Sequence, residues 1–310
     1  MKPEFISVII PVFHDWHRLK LCLERLAAQT YPADNFEVVV VNNDPTDPCP
    51  FVLPAPNMRI VEEHVKSSYA ARNAGIRASR NAGTHVARTG ILAFTDSDCL
   101  PDKQWLEKGV RCLQEDQVML AGGQIRFLVD HPVSASALLD AASHMDNEDT
   151  IAKHHCAVTA NLFVRSEVFD AVGPFDGSMM SGGDIAFTQR ASSHGFILAY
   201  CPEALVWHPT RDFSQKIRKA FRVGRGLPKV EFKRPAHPWK KARMLLLHLL
   251  PLTHPRRIRR AMKRYSVKQN GLFVRALFLS VALGLVKSAG MLYSLPAAMF
   301  CLKKSANTTP

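Results

Sequence analysis

Residues 90–101, Gly90-Ile91-Leu92-Ala93-Phe94-Thr95-Asp96-Ser97-Asp98-Cys99-Leu100-Pro101, set an uncharged run directly against two carboxylates one residue apart. Gly90–Thr95 has no polar alternation and reads as a strand buried on both faces. Two aspartates at the mouth of such a strand are costly without a compensating cation. A hard divalent ion, Mg²⁺ or Mn²⁺, takes oxygen ligands and can bridge a carboxylate to a diphosphate. In open α/β sheets, ligands bind beyond the carboxyl ends of the strands, where Asp96 and Asp98 fall. An Asp-x-Asp triplet alone also describes an ordinary solvated turn.

Working outward, Phe5–Pro11 (FISVIIP), Phe36–Val41 (FEVVVV) and Met58–Val61 read as further strands. Helical spacing of small and apolar residues predicts helices over Trp16–Ala28, Ser67–Arg80 and Asp102–Gln114. This βαβα rhythm implies a parallel sheet covered by helices. Beyond it, strands are expected at Val118–Phe127, Ala157–Val164 and Phe196–Val206, with a helix over Asp184–Ser193. Ser181-Gly182-Gly183-Asp184 opens that helix. On spacing alone Asp184 is a cap or first-turn acid; the chemical alternative is a general base that deprotonates a hydroxyl.

The 310 residues are 47% hydrophobic and 8% aromatic, a folded chain long enough for one large α/β domain and an appendage. Its seven cysteines are scattered and contain no C-x-x-C pair, which disfavours a disulfide framework or zinc ribbon and points to a reducing compartment. His154-His155-Cys156 resembles a metal cluster, but neighbours on an extended chain face opposite ways. His14 and His17 read as solvated. The N-terminal MKPEFISVII lacks the apolar length and cleavage site of a signal peptide.

The formal net charge of +13 is segregated. Residues 1–210 carry 17 Lys/Arg and 25 Asp/Glu, whereas residues 211–270 carry 19 Lys/Arg against Asp212 and Glu231. The tail mixes these cations with Phe213, Phe221, Phe232, Trp239 and Met244–Leu250 (MLLLHLL), a pattern suited to an anionic membrane surface. Two uncharged runs, Ala276–Val286 and Ser288–Leu302, are each shorter than the roughly 20 residues of a span. They can form an interfacial pair, a re-entrant hairpin or one span that tolerates Lys287; peripheral attachment is preferred.

The ordered set SVIIPVF, LAAQTYP, FEVVVVNNDPTD, ARNAGI, ILAFTDSDCLP, TANLFVRSEVFDAVGPFD, GGDIAF and Val206-Trp207-His208 resembles family 2 glycosyltransferases over about residues 4–210. The resemblance implies a GT-A-type, Rossmann-like mixed sheet flanked by helices, followed by a basic and apolar helical C-terminal extension. It divides the chain into a nucleotide-sugar transferase domain, 1–210, and a membrane-associating region, 211–310. Pro11, Phe13, Asn42, Asp44, Asp47, Arg72 and Asn73 would then line the nucleotide pocket. Asp96 would also touch the donor and bind the divalent cation (Mn²⁺ or Mg²⁺), with Asp98 the more direct ligand and His208 a third. Asp184 would be the catalytic base of an inverting transfer onto a glycan or lipid-linked acceptor at the cytoplasmic face of a membrane.

Two positions depart from the family pattern. Asn42 stands where an Asp is customary, so an N–H₂ donor joins the acceptor oxygen; Gly183 replaces the usual Glu before Asp184. Two rival functions use the tail. A nucleic-acid-binding protein would exploit its charge, but leaves the ordered motifs unexplained, so nucleic acid is disfavoured as a partner. A catalytically inactive membrane scaffold has no use for Asp96, Asp98 and Asp184. A sugar-1-phosphate nucleotidyltransferase would need a Gly-rich, Lys-containing loop where this chain has PVFHDWHR.

Overall fold

The structure, a computed structural model, describes residues 4–80, 90–115, 117–142, 145–233, 237–250, 255–268 and 270–306. The first three residues of the N-terminal stretch and short pieces of the basic tail lie outside them. The chain forms two compact units: Met1–Leu128, His144–Ser178 and Gly183–Pro209 make the first; Val129–Ser143, Met179–Gly182 and Thr210–Pro310 make the second.

The first unit is built on an eight-stranded mixed sheet. Its strands are β1 (Ile6–Val12), β2 (Phe36–Asn42), β3 (Met58–Glu62), β4 (Ile91–Thr95), β5 (Leu100–Pro101), β6 (Val118–Leu128), β7 (Asn161–Arg165) and β8 (Ile197–Pro209), in the order β3-β2-β1-β4-β7-β6-β8-β5. β1, β2, β3 and β4 run parallel. β7 is antiparallel to both β4 and β6 and reverses the sheet. Every residue of β1 and β4 is buried, as the uninterrupted apolar runs require of strands covered on both faces.

Helices α1 (Trp16–Ala27), α2 (Ser68–Arg80) and α3 (Trp105–Leu113) fill the crossovers. α1 turns Trp16, Leu19, Cys22, Leu23 and Leu26 inward, whereas Ala27, which the helical spacing also placed on that stripe, is exposed. Close approach of helix to strand depends on glycine. A Cβ on Gly75 of α2 would lie 2.5 Å from Ile9 Cγ2, and one on Gly109 of α3 would fall inside the Phe163 ring of β7. Phe163 is fully buried against Trp105, with ring centroids 4.9 Å apart, so it has nowhere to retreat. Gly109→Ala is therefore expected to cost roughly 1–3 kcal/mol by overpacking, only partly offset by about 1 kcal/mol of helix propensity. Chemical denaturation checks it; an unchanged midpoint would show that the ring yields.

Two expected strands end elsewhere. The strand read from Ala157 begins only at Asn161, because the preceding backbone bonds to side chains instead of a neighbouring strand. The N–H of Ala157 meets Thr188 Oγ1 at 3.1 Å, and that of Val158 meets Asn147 Oδ1 at 3.0 Å. β8 runs past Val206 to Pro209 and so includes His208. The remaining helices of this unit are α5 (Asn147–His154), α6 (Ser166–Val172) and α7 (Gly183–Ser193). His155 closes α5 in a left-handed conformation and Cys156 is buried, so these residues form a helix end.

The second unit is helical: α4 (Ala135–Ala141), α8 (Phe213–Lys233), α9 (Pro238–Leu249), α10 (Pro255–Arg264) and α11 (Asn270–Ala306). Leu138, Ile258, Ala261, Leu272 and Ala276 form its small core. Asp140, buried, takes the Arg211 backbone N–H at 2.6 Å and pairs with Lys216, tying α4 to the start of α8. The two uncharged runs belong to one continuous helix, α11, not to an interfacial pair or a hairpin. Among the described residues it alone is long and apolar enough, by length and composition, to cross a membrane.

Candidate active site

Asp96 and Asp98 sit in the turn after β4. Thr95 Oγ1 anchors it on the Ala160 carbonyl at 3.0 Å, and the Cys99 N–H closes it onto the Asp96 carbonyl at 3.0 Å. The ligand atoms of Asp96, Asp98, Cys99 and His208 all lie within 4.8 Å of one another. Burial and then the two aspartates push the Cys99 thiol well up, and a soft sulfur ligand is ill matched to a hard ion that takes oxygen donors. His208 is fully buried; its Nδ1 donates to the Pro209 carbonyl at 2.7 Å, which turns Nε2 toward Asp98 Oδ1 at 3.6 Å. The donor set, two carboxylates and one imidazole, suits a divalent metal.

Arg72 and Tyr69 stand one turn apart on α2. Arg72 Nη2 pairs with Asp96 Oδ1, Nη1 donates to the Ser68 carbonyl, and its buried Nε has no hydrogen-bond partner among the described residues. Tyr69 donates its hydroxyl to Asp184 Oδ1 at 3.0 Å. Its phenol is pushed up by burial and then by Asp184, and stays a neutral donor. Asp184 also accepts the N–H of Ile185 at 3.0 Å on Oδ1 and that of Thr159 at 3.3 Å on Oδ2. One helical turn thus holds acids 88 positions apart in sequence, Asp96 and Asp184, at a single site.

The Gly183 departure has a physical account. A Cβ there would lie 2.8 Å from Cδ2 and Cε2 of Tyr69. The tyrosine ring occupies the room a Glu at 183 would need, and its hydroxyl supplies Asp184 with a partner.

The loop after β2 forms a second cluster. Asn42, almost fully buried, donates to the Asp47 carbonyl at 3.0 Å and accepts the Asp44 N–H at 3.1 Å, so its amide braces the loop. Asp44 accepts the Thr46 hydroxyl at 2.7 Å, the main reason its carboxyl is held below the ordinary carboxylate range. His14 is not merely solvated: Nε2 lies 3.0 Å from Asp44 Oδ2 and Nδ1 lies 2.9 Å from Asp47 Oδ2, with the backbone at φ 55. Trp16 Nε1 also donates to Asp47, at 2.9 Å. Pro11, in β1, pairs in register with Val41, and Phe13 is half exposed with Lys66 Nζ 5.8 Å from its ring centroid. Asn73 is engaged at both ends of its amide by the Phe175 backbone, at 2.8 and 3.1 Å, and clamps a loop.

Sequence reading missed Tyr69, His14 and Arg18, whose Nη1 lies 3.8 Å from Asp98 Oδ2. Tyr69 alone carried a signal: its i, i+3 spacing to Arg72 puts both on one helical face.

A family model described as glycosyl transferase family 2 matches residues 7–173. The chain is 39% identical over 228 residues to the glycosyltransferase AglE of Haloferax volcanii, covering 72% of each. It is 32% identical over 162 residues to the pre-mycofactocin glycosyltransferase of Mycobacterium tuberculosis, covering 50% of this chain but 34% of that one. Among solved structures, the mannosyltransferase PcManGT from Pyrobaculum calidifontis, in complex with GDP-Man and Mn²⁺, aligns over 100% of this chain and 89% of its own. The TM-score is 0.55 at 20% identity, a likeness of fold.

Proposed function

The chain belongs to glycosyl transferase family 2 and has its GT-A fold, and we propose that this glycosyltransferase moves a sugar, with inversion, from a nucleoside-diphosphate sugar to a hydroxyl of a glycan or lipid-linked acceptor at the cytoplasmic face of a membrane. The observation that carries this reading is the α2 turn that ties Asp184 through Tyr69, and Asp96 through Arg72, into one site. A base for the acceptor and a clamp for the diphosphate then stand side by side.

In this mechanism the acceptor oxygen attacks the anomeric carbon, the bond from that carbon to the diphosphate oxygen breaks, and the hydroxyl proton passes to the Asp184 carboxylate. The three donors on Asp184 fix its direction. Asp96, Asp98 and His208 would hold a divalent cation, which when bound supplies charge stabilisation to the departing diphosphate. Arg72, with one buried N–H unspent, adds a cationic donor for the same anion. The cluster of Phe13, His14, Asp44 and Asp47 faces the nucleoside in this reading, whereas Asn42 and Asn73 shape the pocket from behind. We assign transfer to residues 1–210 and membrane attachment to residues 211–310.

The test is a panel of nucleotide sugars scored for thermal stabilisation and hydrolysis, with and without Mn²⁺. Stabilisation by at least one nucleotide sugar, lost on chelation, is expected. A chain that no nucleotide sugar stabilises at any metal concentration would refute the reading.

A further inference from the structure

Helix α11 has the length and composition of a membrane span, but it packs against α8, α9 and α10. A Cβ on Gly224 of α8 would fall on the Lys287 carbonyl, and one on Gly290 of α11 would fall on the Phe221 carbonyl. The two backbones are therefore in contact and run antiparallel, since three residues forward on α8 correspond to three backward on α11. Phe221 and Arg225 of α8 both pack on Tyr293, at 6.0 and 5.4 Å. Ser288 donates to the Leu249 carbonyl at the end of α9 at 2.9 Å, and Arg259 of α10 lies over Phe273 at 5.2 Å.

This packing conflicts with a crossing. The apolar window runs over Gly271–Pro296, and Lys287–Gly290 lie within about 10 Å of its centre at 1.5 Å per residue. Were α11 to cross, the contact at Gly224 would draw the backbone of Arg222 and Arg225 of α8 into the hydrocarbon layer, where basic residues are costly to hold. Meanwhile α11 exposes an apolar stripe. Val274, Phe278, Leu285 and Leu292 recur at helical spacing, with Phe278 73% exposed, and Tyr293 stands beside them at 69%. Trp239 and Leu246 of α9 are likewise exposed.

We infer that the second unit is an in-plane wedge for an anionic lipid leaflet: the α11 stripe enters the acyl region of one leaflet, the basic residues of α8 to α10 meet the headgroups, and α11 does not cross. This rests on the proposed membrane attachment and adds its geometry. Charge complementarity names the occupant, because residues 211–270 carry 19 Lys/Arg against two acids, and basic residues near an anionic surface attract it. The apolar stripe favours lipid over nucleic acid, which offers it nothing to enter.

The experiment uses the full chain with a carboxyl-terminal epitope. Flotation is measured with phosphatidylcholine vesicles with and without phosphatidylglycerol, and protease protection of the epitope is measured in inverted membrane vesicles. The wedge predicts flotation on the anionic vesicles and digestion of the epitope without detergent. Arg218→Gln with Arg222→Gln should lower partition onto anionic vesicles by about tenfold to thirtyfold. Phe278→Ser with Leu285→Ser should release the protein even at low salt, while both pairs keep donor hydrolysis. Flotation with an epitope protected until detergent is added would overturn the wedge and leave membrane attachment standing. Failure to float would overturn attachment itself, as would binding to a DNA duplex that equals vesicle binding and ignores the apolar substitutions.

Discussion

Asp184→Asn is expected to lower turnover by about a hundredfold to ten-thousandfold, the usual contribution of a positioned general base, while donor binding survives. The substitution keeps size and shape, and the amide oxygen can still accept from Tyr69 and from the Ile185 N–H. What it removes is the proton acceptor. The new N–H₂ would face the Thr159 N–H, whose present partner is Asp184 Oδ2 at 3.3 Å, so a stability loss of about 1 kcal/mol accompanies it. Thermal stabilisation by the donor and turnover on the acceptor separate the two effects. Tyr69→Phe takes away one of three donors and leaves the carboxylate, so its loss should be smaller, about tenfold. If Asp184→Asn turned over at the wild-type rate, the base would have to be sought elsewhere.

The parallel half of the sheet was legible because strands buried on both faces have to be continuous apolar runs. FISVIIP, FEVVVV and GILAFT say so without context. The Asp-x-Asp turn was legible for a related reason: acids placed right after such a run carry a cost that a nearby cation offsets. Legibility failed where long-range partners decide. The segment 157–160 reads as strand by composition, yet its N–H groups bond to Asn147, Thr188 and Asp184, side chains that no local window contains. His14 read as solvated because its carboxylates lie 30 or more positions away. Gly183 looked like a lost carboxylate until the Tyr69 ring was found in the space it vacates. Such paired exchanges cancel in space and remain invisible along the chain. The C-terminal helix shows the converse: its two runs fall short of a span separately, and only the unbroken backbone through Lys287 joins them.

Asp98→Asn should abolish stabilisation by Mn²⁺ and lower kcat/KM with the best donor by about a thousandfold, since metal assistance to a departing diphosphate is worth several kcal/mol. Asp96→Asn should cost less. The difference follows from how each carboxylate is already occupied. Asp96 Oδ1 is committed to Arg72, a buried guanidinium that partly neutralises it. Arg18 stands farther from Asp98, at 3.8 Å on Oδ2, while Oδ1 faces His208 Nε2 at 3.6 Å. Asp98 therefore has more negative charge to offer a metal. His208→Gln falls between them: an imidazole whose far nitrogen is fixed by a backbone carbonyl is a preorganised ligand, and disturbing such an arrangement costs about tenfold to a hundredfold in metal affinity. A Mn²⁺ titration followed by thermal shift ranks the three variants. The ranking fails if Asp98→Asn keeps the wild-type midpoint, or if Asp96→Asn loses the metal while Asp98→Asn retains it; either result would move the cation away from His208 and toward Arg72.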